Sequence, residues 1–475
     1  MIKPAEIVVP SEDPFKNDAL SRKETIEKLT NFLEHLSEPF VLGLNSPWGS
    51  GKTTFVRLWN QHLKNAGFNT LYFNAWETDF AEDPFLALAE ELRVAIAELE
   101  NCERSPVRGL SKKIMEASIA IAKKGIPIAV RVATSGLLNI DEKAEEELSA
   151  LALEIAKERV DEYSRRKNSI GEFKKTLEDL VCALSKVEGP EKPLVIFIDE
   201  LDRCRPPYAI TLLEHAKHIF SVPGIVFVIS VDRDQLANSI RSVYGENFDA
   251  DGYLRRFFDL DFVLPDPPGN DFVQYLYKTM GLFDLVEGRK NGDDPSTLYD
   301  TLNLLLPHLH LSLRHQIHIL SRLKIVLMTT PGNHWLYPYQ LGVLTVLREW
   351  KPTLYNSFVE GMTDPKEVIR ALEDATGGLI FGDSSGWILE GFIFAMGAEV
   401  GKVSPLIQVY LDNIEETRAT APAEAGTDSR EKKAIAVYRH NLADHPFDGR
   451  GPGLQVTAGR IAFSERLLQK RPLGN

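Results

Sequence analysis

Apolar and polar positions follow two rhythms over the first 270 residues. EPFVLGLN (38–45) is a short continuous apolar run that gives way to SPWGSGKTTF, after which KTTFVRLWNQHLKNAG spaces its apolar residues three and four apart. This predicts a strand, a tight loop and a helix ended by Gly67. NTLYFNAWE predicts a second strand, and DPFLALAEELRVAIAELE a helix opened by Asp83 and Pro84. A charged, helix-forming stretch occupies about 100–190, and the runs PLVIFIDE and GIVFVISVD then predict two further strands with helical segments between them. Continuous apolar strands that alternate with helices are the pattern of a parallel sheet covered on both faces, an α/β fold.

This pattern divides the chain into 1–100, the first part of the sheet module with an N-terminal strap; 101–190, a helical insertion; and 191–268, the rest of the sheet module. Residues 269–412 show helical patterns without a strand series and predict a helical C-terminal domain. From 413, DNIEETRATAPAEAGTDSREKK is small, polar and charged, so 413–475 reads as a linker and flexible tail. No internal repeat is visible.

Composition narrows the partners. The chain has 475 residues, 44% hydrophobic and 26% charged, with a formal net charge of -14. That balance does not indicate nucleic acid or an acidic bilayer as a general partner. The three cysteines, Cys102, Cys182 and Cys204, form no CxxC pair, which argues against disulfides or zinc and for a reducing, cytoplasmic setting. The first thirty residues carry several acids and no apolar core, unlike a signal peptide. The most membrane-like run, 114–140, is broken by Lys123, Lys124 and Arg131 with Gly125 and Pro127 between them. It falls short of the roughly 18 uninterrupted apolar residues of a span. It reads as packing helices, with a surface-lying amphipathic stretch as the alternative.

The loop between the first strand and helix carries chemistry. A phosphate loop needs backbone N–H groups converging on the anion, a lysine for the terminal phosphates, a hydroxyl for Mg²⁺ and a helix N-terminus. Pro47, Trp48, Gly49, Ser50, Gly51, Lys52, Thr53 and Thr54 form the candidate phosphate contacts, with Gly49 and Gly51 for close approach, Lys52 as the ammonium and Thr53 as the metal ligand. Ser46 stands where the GxxxxGK[ST] spacing asks for its first glycine, a position that turns the chain out of the strand. In PLVIFIDELDRC, the apolar run ends in Asp199 and Glu200. Strand-end carboxylates at the C-terminal edge of such a sheet sit where ligands bind. Asp199 is the candidate for the Mg²⁺ hydration shell and Glu200 for polarising the attacking water.

These residues together resemble the KAP family of P-loop NTPases. The resemblance runs through NDALSRKETIEKL, GLNSPWGSGKTTF, LYFNAWE, VIFIDELDRC, VFVISVDRDQL and YLRRFFDLDFVLPDP, roughly residues 12–268. It implies an αβα P-loop NTPase module related to AAA+ and STAND ATPases, with ATP and Mg²⁺ as ligands. Many KAP members carry transmembrane helices in the insertion; here 101–188 lacks such a span, and the chain after 330 lies outside the resemblance. By resemblance, Trp48, Asn74 and Trp76 lie near the nucleotide, Trp76 more simply as a buried core aromatic. Asp18–Leu20 with Arg22 form a strap near the base. Ser230, Asp232 or Arg233 is a polar sensor, with Asp232 as a helix cap the competing reading. Arg255 and Arg256 are candidates for an arginine finger reaching a neighbouring subunit, against an ion pair with Asp259. Arg314 is a candidate second sensor.

Two other clusters have plainer readings. His308, His310, His315 and His318 lack metal-site spacing, and Arg203 and Arg205 either face a partner or pair with Asp202. The function expected is a nucleotide-driven switch or assembly machine that hydrolyses ATP, with a homo-oligomer or protein partner and a bacterial anti-phage role implied only by resemblance. The alternatives are a nucleotide-sensing scaffold with little hydrolysis, a nucleic-acid remodeller and a peripheral membrane adaptor.

Overall fold

In a computed structural model, residues 7–36, 38–81, 83–100, 109–122, 168, 170–184, 192–217, 221–265, 269–287, 289, 295–334, 336–382, 384–396 and 454–468 are described. Contacts divide the chain into two units: Val8–Asp18 with Arg22–Pro265, and Met1–Ile7 with Ala19–Ser21 and Asp266–Asn475.

The first unit runs α1 (Lys23–Glu34), β1 (Phe40–Asn45), α2 (Lys52–Asn65), β2 (Thr70–Asn74), α3 (Pro84–Glu100), α4 (Leu110–Ala122) and α5 (170–184). It continues with β3 (Leu194–Asp199), α6 (Pro206–Ala216), β4 (Ile225–Val231), α7 (Arg233–Tyr244), α8 (Ala250–Leu254) and β5 (Leu260–Val263). All neighbouring strands pair in parallel, in the order β2-β3-β4-β1-β5. Strand β4 is therefore inserted between the strand that leads into the phosphate loop and the strand that ends in acids.

The two-residue period of the strands sorts their side chains onto two cores. Leu42, Leu44, Val195, Phe197, Val226 and Val228 face α1 and α2 and pack with Ile26, Leu33, Phe55 and Trp59. Trp59 sits edge-on to Phe55 at 5.9 Å and Phe197 at 5.5 Å, and its indole N–H donates to Thr30 Oγ1 at 3.1 Å. Truncating such a side chain costs about 3–5 kcal/mol. Ile196, Ile198, Phe227 and Ile229 face the other way, toward Leu88 of α3, Ile114 of α4, Phe173 of α5, Leu212 of α6 and Leu236 of α7. The result is the three-layer αβα arrangement of a P-loop NTPase. Strands β3 and β4 are buried along their whole length, which explains their unbroken apolar runs. Strand β5 was not expected. It has four residues, one neighbour and an almost wholly exposed pattern, so it lacks the apolar signal that marks a central strand.

The described part of the insertion is helical, and within 114–140 only the end of α4 is described, packed by Ile114 and Ala117. No helix among the described residues is long and apolar enough to cross a membrane.

The second unit is helical: α9 (Gly269–Thr279), α10 (Leu282–Glu287), α11 (Pro295–Leu305), α12 (Leu313–Thr329), α13 (Pro338–Trp350), α14 (Pro352–Val359), α15 (Pro365–Thr376), α16 (Ser384–Met396) and α17 (Leu454–Leu468). Its core includes Leu276, Leu302, Leu320, Leu344 and Phe358. Helix α17 departs from the expected flexible tail: Thr457, Ala458, Ile461 and Ser464 are buried, and Glu465 pairs with Arg322 of α12 and Arg348 of α13. A stripe of small residues around one isoleucine gives a weak compositional signal but fits closely against neighbouring helices. The polar run DNIEETRATAPAEAGTDSREKK lies outside the described residues.

Candidate phosphate site

At the C-terminal edge of the sheet, Ser46 N donates to Val231 O at 3.2 Å as the chain leaves β1. Gly49 and Gly51 take positive φ angles of 81° and 90°, which side chains resist, and Gly51 precedes the first turn of α2. That turn has no side-chain cap, so its amides face the loop as an anion-binding end. The non-glycine residues with positive φ are Ser21, Glu200, His310 and Tyr337 among those described. Ser46 is not one of them, so the backbone at that position does not require the missing glycine.

Lys52 is buried, and its ammonium donates to Ser46 O and to Pro47 O (3.3 Å) and lies 3.9 Å from Asp202 Oδ2. Burial pushes Lys52 below its ordinary value, partly offset by Asp202, Asp232 and Asp199. Burial likewise raises Asp202, offset by Lys52 and by bonds from Asp232 N and Trp48. For both groups burial is the larger influence, and their attraction at 3.9 Å offsets it only in part. Trp48 joins the same cluster: its indole N–H donates to Asp202 Oδ2 at 2.5 Å and its backbone N–H to Asp232 Oδ2 at 3.0 Å.

Asp199 ends β3 with its carboxylate buried, accepting from Tyr72 OH at 3.2 Å and from Glu200 N at 2.9 Å. Burial first, and then Asp199, raises the Tyr72 phenol and keeps it a donor. Glu200 leaves the strand in the left-handed region, φ 60°, which turns its side chain away from the strand's alternation. It accepts from Thr53 Oγ1 at 3.3 Å and Asn74 Nδ2 at 3.4 Å, and pairs with Arg203 at 2.6 Å. Thr53 thus meets Glu200 directly rather than Asp199. A single turn over Leu201–Arg203 then brings Asp202 back toward the loop.

On β4, Ser230 is fully buried, level with Leu44 of β1, and its hydroxyl makes no hydrogen bond among the described residues. It shares the α2 face with Val226 and Val228, between the loop strand and the acid strand. Asp232 caps α7 through Gln235 N at 3.2 Å while also holding Trp48, so it serves both cap and loop. Arg233 turns away to Asp261 and the Phe258 ring. Arg22 is buried and donates to Pro265 O and, at 3.4 Å, to Ser50 O, which sets this arginine beside the phosphate loop.

The core placement of Trp76, the pairing of Arg203 and Arg205 with Asp202, and the pairing of Arg255 and Arg256 with Asp259 are corrected. Trp76 is 53% exposed rather than buried in the core. Asn74 Oδ1 caps the backbone of Trp76 and Glu77, turning the chain off the sheet, and the indole lies under the Arg203 guanidinium at 5.6 Å. Arg203 and Arg205 do not pair with Asp202; they pair with Glu200 and Asp79. Arg255 and Arg256 are exposed and form no ion pair among the described residues, and Asp259 instead accepts from Val41 N at 2.8 Å. Arg314 is exposed on α12 of the second unit. Residues that sequence reasoning missed are Asp202 and Tyr72, and the engagement of Glu200 by Asn74 and Arg203. The spacing DELD was the available signal, since an acid three residues past a strand end returns to the same side within one turn.

A sequence profile described as the KAP family P-loop domain matches residues 22–329. The chain belongs to the KAP family of P-loop NTPases. No curated protein matches it significantly. Solved structures similar to this KAP protein include the ORC2 protein of Aeropyrum pernix in ADPNP–ADP complexes (13% identity, 89% of this chain and 95% of that chain, TM-score 0.29). Two others are of Drosophila ORC with Cdc6. One is bound to poly(dA/dT) DNA (10% identity, 95% of this chain and 66% of that chain, TM-score 0.35). The other is bound to GC-rich DNA (11%, 95% and 62%, TM-score 0.33).

The donors of this KAP site fit Mg²⁺. Thr53, Asp199 and Glu200 supply hard oxygens, and no group of three His, Cys, Asp or Glu residues among those described could hold a metal alone. Mg²⁺ suits such a site because it keeps water and takes substrate phosphate oxygens beside one or two protein ligands.

Proposed function

We propose that this KAP protein binds ATP at Pro47–Thr54 and hydrolyses it, cycling as a nucleotide-driven switch. One observation carries the reading: Thr53 Oγ1 lies 3.3 Å from Glu200 Oε1, although the two residues are 147 positions apart. The phosphate loop and acid strand therefore meet across a single site. In this reading the amides around Gly49 and Gly51 cradle the phosphates and Lys52 reaches the terminal ones. Thr53 and Asp199 would hold Mg²⁺, which supplies neutralisation of phosphate charge when bound. Glu200 accepts a proton from water as the water oxygen bonds to the γ-phosphorus and the bond to the bridging oxygen breaks, and the buried Ser230 hydroxyl orients that water.

A second reading, a nucleotide sensor with negligible turnover, is favoured by the 2.6 Å ion pair that engages Glu200 with Arg203. Steady-state phosphate release separates the two. Lys52→Ala should abolish measurable ATP binding. Glu200→Gln should keep ATP while turnover falls by about 10²–10⁴-fold, the contribution of a general base. Wild-type protein that binds ATP without releasing phosphate would replace the first reading with the second.

A further inference from the structure

Two donors of Trp48 are claimed by two carboxylates from different strand ends. Its indole N–H goes to Asp202, just beyond β3, and its backbone N–H goes to Asp232, just beyond β4. Asp202 Oδ2 also accepts from Asp232 N at 2.9 Å and faces the Lys52 ammonium at 3.9 Å. One carboxylate oxygen, on a side chain only 1% exposed, thus collects the loop's tryptophan, the end of β4 and the phosphate-binding lysine. Trp48 immediately precedes Gly49, the first of the two loop residues with positive φ, so wherever the indole is pinned the glycine amides follow. The indole itself is 42% exposed, which rules out packing in the core as its role.

From this convergence we infer that Asp202 is a positioning residue of the nucleotide site, acting through Trp48 and Lys52 to hold the phosphate loop against the acid strand. This rests on the nucleotide-binding reading above and assigns Asp202 no contact with the reacting atoms. A buried carboxylate beside an anion-binding loop is unfavourable unless its bonds are used, and here three segments use the same oxygen. The loop therefore takes its shape from side-chain anchoring on its flank, with Ser46 in an ordinary backbone conformation at the position usually held by glycine.

The test measures ATP binding by titration calorimetry with Mg²⁺ on the full chain, for wild type, Asp202→Asn, Trp48→Phe and the double variant. Trp48→Phe removes the indole donor and keeps an aromatic ring. Each single variant should weaken ATP binding about tenfold, and the double variant should be no weaker than the worse single, because both remove one interaction. A merely structural role would lower the bound stoichiometry through unfolded protein and leave Kd unchanged. The inference is overturned if Asp202→Asn binds ATP within about twofold of wild type, or if the two losses multiply as independent sites do. Where Asp202→Asn fails to fold, Trp48→Phe decides alone, and unchanged affinity in it overturns the inference. Wild-type protein that ignores ATP would instead remove the underlying reading, a result visible before any variant is made.

Discussion

Among the described residues each unit holds an ionic network at least partly shielded from solvent, and the two are built on opposite principles. In the helical unit Arg322 pairs with Glu349 and Glu465, and Arg348 also takes Glu465, so two guanidiniums meet two carboxylates. At the sheet edge Asp199, Glu200, Asp202 and Asp232 gather around Lys52 and Arg203, an excess of acid in a largely buried place. The balanced network holds Glu465 below its ordinary value: burial alone would raise it, and the bonds from Arg348 and Arg322 outweigh that. The unbalanced one leaves Lys52 depressed and Asp202 raised, each by its own burial. Charge that closes on itself staples helices together. On the proposed reading, the excess charge in the cleft serves the nucleotide and metal that enter it.

The sharpest way to break this comparison concerns the cation that the unbalanced site lacks. Arg255 and Arg256 are exposed and unpaired among the described residues, and they precede β5, which is separated from β3 by β4 and β1. Three strand spacings, about 14 Å, separate β5 from β3, and we propose that the two guanidiniums act on the site of a second copy as an arginine finger does. Replacing both by alanine should leave ATP binding intact and lower turnover about 10³-fold, the scale of an arginine finger. Mixing that protein with Lys52→Ala protein should restore part of the turnover, since one copy then supplies an intact site and the other the arginines. Unchanged turnover in the double variant, or no restoration on mixing, defeats the idea.

Legibility in the sequence followed the same division between strong local signals and contacts made at a distance. The loop glycines, Lys52, Thr53 and the acids ending β3 were readable because phosphate binding and a buried parallel strand both leave contiguous patterns. The resemblance put the strand of Ser230 beside the acid strand, as it is, but the pattern did not show that this strand also borders β1, which sets Ser230 between loop and acids. Asp202 looked like a loop acid because its partners, Trp48 and Asp232, are 154 and 30 positions away. Trp76 looked like core because aromatic residues usually are, and only the turn capped by Asn74 reveals why it is exposed. Helix α17 was hidden for a third reason: its packing face is small and polar, and its anchor is an ion pair with helices more than 100 residues earlier.

A smaller effect sharpens the contrast from the helical side. Glu465→Gln keeps the shape and removes the charge that two guanidiniums share. Hydrogen bonds to charged groups contribute about 1.5–3 kcal/mol, and the opening free energy of α17 should fall by that amount. Amide hydrogen exchange across Leu454–Leu468 measures it. Turnover should stay at the wild-type level, because the balanced network has no part in the chemistry. A large loss of turnover with unchanged exchange would reverse the assignment of the two networks.

The smallest effect is reached by pH alone. The Glu465 carboxyl is held below its ordinary value of 4.5, so folding releases its proton more readily than the open chain does. Its contribution to holding α17 is complete above about pH 4.5 and is lost as pH falls through the lower folded-state value. Lys52 obeys the same sign in another window: burial lowers its folded value below the ordinary 10.5, so the cost of burying its charge is relieved as pH rises through that folded value and is gone above about 10.5. Protection of the α17 amides should therefore be flat from about pH 8 down to pH 5 and decline below that, and Glu465→Gln should remove the decline. If the decline persists in Glu465→Gln, another acid holds the helix, and the balanced pair of guanidiniums and carboxylates is not what distinguishes this unit from the nucleotide site.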